Sequence, residues 1–283
     1  MWVRGIRDGE RCGCGQPFGS CPFWQQVGQS AFGGWDQVDV DRITRLRAQV
    51  DRARFLPLLA SASARGVASR DRFQPALDEY VDYYRRTYSA IEAVSGRPVV
   101  IDSSKHASLA FCLRNSPGLD LRVVHMVRDS RAVAYSWSKV VQRPEAAAES
   151  QMPTYPAASA AMRWNLQNSA LQVLSGLGTP TLRVRYEDFV LAPAATLGRI
   201  AAFAGLPGGP EFGFLGTDEP GRWWADLGVT HTASGNRMRF TTGRIPIRHD
   251  HAWQTAMLAS KRRTVTTLTL PLLVRYGYMR GAS

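Results

Sequence analysis

The chain reads as an α/β protein: a parallel sheet flanked by helices, with an α-helical insertion ahead of it. Three observations predict this. Between residues 98 and 205, short apolar β-branched runs alternate with segments of helical period, the pattern of a parallel sheet. Before them, 38–66 and 71–95 carry apolar residues at helical spacing. Gly and Pro punctuate the junctions, as in Ser95-Gly96-Arg97-Pro98 and at Gly205 and Pro207.

The elements follow in order. Residues 1–36 are rich in Gly and aromatics (Phe18, Phe23, Trp24, Phe32, Trp35) and read as irregular loop. Asp39 or Asp41 caps a helix through Ile43, Leu46, Val50, Phe55, Leu58 and Leu59, kinked at Pro57. A second helix runs from about Phe73 to Val94, with Leu77, Tyr80, Val81, Tyr84, Tyr88 and Ile91 on its apolar stripe. Val99-Val100-Ile101 is a short strand, and Ala107 to Leu113 a helix. Leu121 to Val127 is the next strand and Arg131 to Val141 the next helix. Residues 143–156, with Pro144, Pro153 and Pro156, read as a lid-like connection. A long helix follows from about Ala157 to Leu177, then a strand from Thr181 to Val184 and a helix from Pro193 to Ala204. The tail to about 250 is loop-rich, and a last helix covers roughly Trp253 to Thr267.

Bulk properties narrow the function. The 283 residues are 45% hydrophobic, with a formal charge of +12 and a pI near 10.1. Lys occurs only at 105, 139 and 261, so the positive charge is almost all Arg. It is spread along the chain rather than gathered in a tail. That favours attraction of a small polyanion over nucleic-acid binding, and no nucleic acid is expected as a partner. No apolar run is long enough to span a bilayer, and the charged, Gly-rich start is unlike a signal peptide. The expectation is a cytoplasmic enzyme.

Cys12, Cys14 and Cys21 fall close together in Cys12-Gly13-Cys14-Gly15 and Cys21-Pro22-Phe23-Trp24. A thiolate metal site needs a fourth convergent ligand, and all five His residues (106, 125, 231, 249, 251) are distant in sequence. A local disulfide to Cys21 is unusual in a reducing cytoplasm. The cluster therefore reads as a compact Gly-rich turn with structural thiols in preference to a metal site, which stays the alternative. Cys112, in an apolar helical pattern, reads as a core residue.

The chemistry concentrates in Leu121 to Ser136. An apolar strand leads to Arg128, then to Asp129 as a helix cap and a run of helix formers. Ser136 lies about two turns into that helix. A guanidinium fork, a hydroxyl and a positive helix end suit a phosphate monoester. The same residues also suit an ordinary buried strand and capped helix.

Arg128 and Ser136, with the wording Arg128-Asp129-Ser130-Arg131-Ala132-Val133-Ala134, resemble the 3'-phosphate-binding motif of sulfotransferases that use 3'-phosphoadenosine 5'-phosphosulfate (PAPS). The likeness is to the bacterial, carbohydrate-type members. Val99 to Lys105 resembles the family's strand that ends at the reacting centre. Arg185-Tyr186-Glu187-Asp188-Phe189 resembles its Tyr-Glu-Asp segment, and His231 to Phe240 its late nucleotide-covering loop. The family's Pro-x-Ser-Gly-Thr-Thr loop, which wraps the 5'-phosphosulfate, is absent; Cys12-Gly13-Cys14-Gly15 lacks its hydroxyls and follows no apolar strand. The chain is expected to begin downstream of that loop.

The resemblance implies a P-loop-NTPase-like parallel sheet whose first strand and loop are missing. It makes residues 1–283 one sulfotransferase-like domain, with 1–97 as loop region and helical insertion and 98–283 as nucleotide-binding core. It implies PAPS as co-substrate, no metal, and a sugar, lipid or other small-molecule hydroxyl as acceptor. Arg128 and Ser136 then hold the 3'-phosphate, Tyr186 packs near adenine, and Arg237 and Arg239 close over the phosphates. Lys105 is placed to stabilise the bridging oxygen, and His106 to act as base. Asp102 is either an alternative base or a partner of Lys105. The competing readings are a P-loop-like phosphotransferase and a non-catalytic nucleotide- or nucleic-acid-binding protein.

Overall fold

The computed structural model describes residues 1–61, 70–142, 151–206, 211–219, 221–235 and 237–279. Its helices are α1 (Pro22–Phe32), α2 (Val40–Val50), α3 (Leu56–Ala60), α4 (Arg70–Ser95), α5 (Ala107–Leu113), α6 (Ser130–Trp137), α7 (Ala157–Gly176), α8 (Tyr186–Leu191), α9 (Pro193–Phe203), α10 (Ala252–Ala256) and α11 (Ala259–Arg275). Five strands accompany them: β1 (Val123–Val127), β2 (Thr181–Arg185), β3 (Leu215–Glu219), β4 (Arg222–Leu227) and β5 (Gly243–Pro246).

The first 36 residues are more ordered than their composition suggests. Trp2 is buried in an aromatic box, edge-on to Phe32, Trp35, Tyr83 and Tyr84 at 5.7–6.5 Å. Pro22 starts α1 at a position where its missing N–H costs nothing. Trp24, Val27, Gly28 and Ala31 then bury one helical face.

The expected helix over 38–66 is broken instead. Asp39 caps α2 by accepting from the Arg42 amide at 2.7 Å. The helix stops at Asp51, whose carboxylate is buried, accepting from Tyr80 Oη at 2.8 Å and Ser108 Oγ at 2.5 Å. Leaving the helix turns this carboxylate toward α4 and α5, where two hydroxyls satisfy it. Pro57 accordingly sits at the start of α3 rather than at a kink. Ile43, Leu46, Val50, Tyr80, Val81, Leu109, Phe111 and Leu174 form the largest apolar core.

β1 and β2 pair in parallel and in register, from Val123 opposite Thr181 to Val127 opposite Arg185. The chain between them carries α6 and α7. His125 and Val127 of β1 are buried, while Val124 and Met126 on the other face stay exposed. Val99–Ile101 does not form the expected strand, and Ile101 is 87% exposed. A three-residue β-branched run still needs a neighbouring ladder, and none reaches it among the described residues.

The loop-rich tail holds an unforeseen antiparallel sheet in the order β3-β4-β5. The strand propensity of Leu215-Gly216-Thr217-Asp218-Glu219 is low. The sheet gains from Trp224, which lies so close over Gly216 that a Cβ there would meet its ring at 2.0 Å. Arg244 covers the same indole at 3.8 Å. The final helix is split at Met257 and then runs on to Arg275. The architecture is thus mixed α/β and mostly helical, with a two-stranded parallel sheet where a larger one was expected. Residues 143–150 of the expected lid lie outside the described residues. No described helix is long and apolar enough to cross a membrane.

Candidate functional site

The in-register pairing of β1 and β2 determines where the candidate site lies. Val127 faces Arg185, so the residues that leave the two strands, Arg128 and Tyr186, emerge side by side at their carboxyl ends. That is where ligands meet open parallel sheets. The Arg128 guanidinium lies over the Tyr186 ring at 4.7 Å and donates to Asp250 Oδ2 at 3.1 Å. Its carbonyl accepts from Trp164 Nε1 of α7 at 3.0 Å, which holds the strand end against the helix.

Asp129 caps α6, accepting from the Arg131 amide at 2.8 Å, and is forked by the Arg131 side chain at 2.6–3.2 Å. It therefore already occupies the helix amide that a phosphate would seek. Ser136 is half-buried in the last turn of α6.

The Tyr-Glu-Asp segment does more than supply a ring. Glu187 accepts from the Asp129 amide at 3.2 Å, and its other oxygen accepts from Tyr278 Oη at 2.6 Å. Tyr278 Oη also lies 3.2 Å from the Val127 carbonyl. Glu187 and Tyr278 thus bolt the carboxyl ends of β1 and β2 together. Burial first, and the Glu187 carboxylate next, push the Tyr278 phenol well above its ordinary pKa, so it stays a donor.

The segment Arg248-His249-Asp250-His251 completes the cluster, and its clustered titratable side chains were the signal that pattern reading passed over. His249 lies 6.3 Å from the Tyr186 ring, and its Nδ1 is 2.8 Å from His251 Nε2. Burial and the neighbouring His251 lower the His249 pKa, so its neutral form is favoured. The Asp250 pKa is lowered first by the Ala252 amide and then by Arg128.

Asp102, Lys105 and His106 sit apart, in the loop before α5. Asp102 accepts from Tyr88 Oη at 2.5 Å and from the Ser104 amide at 2.8 Å. Lys105 and His106 are exposed, with His106 at the cap of α5. No hydrogen bond, ion pair or ring contact among the described residues joins these three to Arg128, Ser136 or Tyr186. The link is indirect: Gln167 Oε1 of α7 accepts from the Ala107 amide at 2.8 Å, one turn from Trp164.

Arg239 is buried rather than open toward a ligand. Its guanidinium donates to the Gly235 carbonyl at 3.1 Å and the Arg11 carbonyl at 3.3 Å, with Glu10 Oε2 at 3.7 Å. Arg237 opens the same turn, Arg237–Phe240, and its side chain lies outside the described residues.

The same loop carries His231 back to the cysteine turn. His231 Nδ1 is 3.3 Å from Cys21 Sγ and 3.8 Å from Cys12 Sγ, and Cys14 Sγ is 3.7 Å from Cys21 Sγ. One donor atom from each of the four residues lies within 4.8 Å of all the others. The fourth convergent side chain, too distant in sequence to be expected beside the cysteines, comes from a loop more than 200 residues later.

Comparison of the chain with protein families, curated proteins and solved structures finds no match.

Proposed function

We propose that this chain binds a nucleotide carrying a 3'-phosphate and belongs functionally with PAPS-dependent sulfotransferases. The observation that carries the reading is the Arg128–Tyr186 pair: a fork for phosphate and an aromatic face for adenine, side by side at the ends of two parallel strands. The proposal brings with it a P-loop-like parent sheet, to which β1 and β2 contribute. The 283 residues contain no Ser-Gly-Thr-Thr loop to wrap the 5'-phosphosulfate.

In the reaction so assigned, an acceptor hydroxyl oxygen attacks sulfur as the bond from sulfur to the phosphate oxygen breaks. The hydroxyl proton passes to a base, and adenosine 3',5'-bisphosphate leaves. The protein's contribution is positioning and charge stabilisation. Arg128 and Ser136 hold the 3'-phosphate, and Tyr186 stacks with adenine. Lys105 stabilises the bridging oxygen, and Tyr88 holds the Asp102 carboxylate. His106 is the base in this reading, with Asp102 as the alternative. The acceptor is a sugar, lipid or other small-molecule hydroxyl.

Calorimetric titration with adenosine 3',5'-bisphosphate and with adenosine 5'-monophosphate tests the reading. The bisphosphate binds more tightly, and Arg128→Ala removes that preference at a cost of about 1.5–3 kcal/mol, the worth of a charge-assisted hydrogen bond. Equal affinity of the wild type for the two nucleotides overturns it. Binding or turnover that requires magnesium points instead to a phosphotransferase.

A further inference from the structure

We propose that Cys12, Cys14, Cys21 and His231 form a tetrahedral zinc site that ties the loop after β4 to the amino-terminal turn. Sulfurs bound to one zinc at about 2.3 Å stand roughly 3.8 Å apart, and such a sulfur stands roughly 3.6 Å from an imidazole nitrogen bound to the same ion. The distances here are 3.7 Å between Cys14 and Cys21, and 3.3 and 3.8 Å from His231 Nδ1 to Cys21 and Cys12. A disulfide would need two sulfurs at about 2.05 Å and would leave the third thiol and the imidazole aimed at nothing.

The surroundings are built for the same centre. The turn closes with the Cys12 amide donating to the Gln16 carbonyl at 2.8 Å and the Gly15 amide to Cys12 at 2.9 Å. Phe23 stacks on the His231 ring at 5.0 Å, which fixes its plane. Trp24 Nε1 donates to the His231 carbonyl at 2.8 Å, and the Gly13 amide to the Thr232 carbonyl at 3.0 Å. Cys12 and Cys21 are buried, so the ligands are shielded on the protein side.

Three thiolates and one imidazole select zinc over magnesium or calcium, and four protein ligands leave no open position for substrate. The site is therefore structural. Binding releases the three thiol protons and leaves a centre of net charge −1 on a strongly basic chain. The inference does not depend on the nucleotide reading: a chain that ignores adenosine 3',5'-bisphosphate can still hold zinc.

The test uses the whole 283-residue chain, purified reduced and without chelator. Elemental analysis is expected to find about one zinc per chain. Cobalt(II) replacing it should give the intense visible bands and thiolate charge transfer of a tetrahedral sulfur site. His231→Ala and Cys21→Ser should each weaken zinc binding at least tenfold in chelator competition, while His231→Cys should keep the metal and change the cobalt spectrum. Should the variants fail to fold, the wild type alone decides, since chelator must lower its melting temperature and zinc restore it. Folded, reduced wild type with zinc far below one per chain and no cobalt–thiolate bands overturns the proposal. So does a Cys14–Cys21 disulfide in protein kept under reducing conditions.

Discussion

Arg128 serves Tyr186 and Asp250 at once: its guanidinium covers the Tyr186 ring at 4.7 Å while donating to Asp250 Oδ2 at 3.1 Å. The ring offers a cation a favourable face, about 0.5–1 kcal/mol when partly exposed. The carboxylate competes for the same N–H groups a phosphate would use. A bound anion must displace Asp250 or share the fork with it.

Asp250→Asn is therefore expected to tighten adenosine 3',5'-bisphosphate binding several-fold. Asn keeps the oxygen that accepts from the Ala252 amide at 3.0 Å, so the start of α10 should persist. Calorimetric titration of the two proteins measures the effect. Unchanged or weaker binding in the variant would show that the anion does not meet Arg128.

Glu187→Gln should loosen the carboxyl ends of β1 and β2. The carboxylate joins the Asp129 amide to Tyr278 Oη, and Tyr278 reaches back to the Val127 carbonyl. Losing the charge at two hydrogen bonds is expected to cost about 1–3 kcal/mol. Urea unfolding followed by tryptophan fluorescence reads this directly. A midpoint equal to wild type would mean that Glu187 carries no structural load.

How far the site could be read from sequence depended on range. Arg128, Asp129 and Tyr186 were legible because strand ends and helix caps are written locally, in runs of a few residues. The α1 stripe of Trp24, Val27, Gly28 and Ala31 was also present, but the surrounding Gly, Pro and Cys concealed it. Asp51 falls inside the span 38–66 that was expected to be one helix. Only the hydroxyls of Tyr80 and Ser108, 29 and 57 positions away, explain why the helix stops there. His231 joins the cysteines across a separation that no spacing rule covers. The antiparallel tail sheet depends on Trp224 packing over Gly216, a contact made only once the strands have paired.

Below neutral pH, the stability of the fold should fall in part through His125. The imidazole is buried on β1. Asn168 Nδ2 donates to the Trp164 carbonyl, so its Oδ1 is the acceptor 2.8 Å from His125 Nε2, which carries the proton of a neutral ring. Burial lowers its pKa below 6.5 in the folded state. As pH drops through 6.5 the unfolded chain takes up a proton that the folded chain refuses. Stability is then lost at up to about 1.4 kcal/mol per pH unit until the folded pKa is reached. His125→Gln keeps a donor toward Asn168 but does not titrate. The gap between wild-type and variant unfolding free energies should therefore narrow in the variant's favour from pH 7.5 to roughly pH 5.5. Parallel pH profiles would rule this out.

Gly13→Ala should destabilise the chain although Gly13 needs no unusual backbone angle. A Cβ there would stand 2.6 Å from the Thr230 carbonyl oxygen and 3.1 Å from that of Arg239, both backbone atoms that cannot swing aside. The turn and the His231 loop would have to separate, which breaks the 3.0 Å bond from the Gly13 amide to Thr232 and draws His231 off the three thiols. Overpacking of this kind costs about 1–3 kcal/mol, or a fall of roughly 2 to 10 °C in melting temperature for a chain of this size. Gly19→Ala is the control, because a Cβ at that exposed position meets nothing within 4 Å. Scanning calorimetry of the three proteins, with and without zinc, should place Gly13→Ala clearly below the other two and show the smallest gain from zinc. If Gly13→Ala and Gly19→Ala melt together, the close approach of the two segments is not what holds the loop in place.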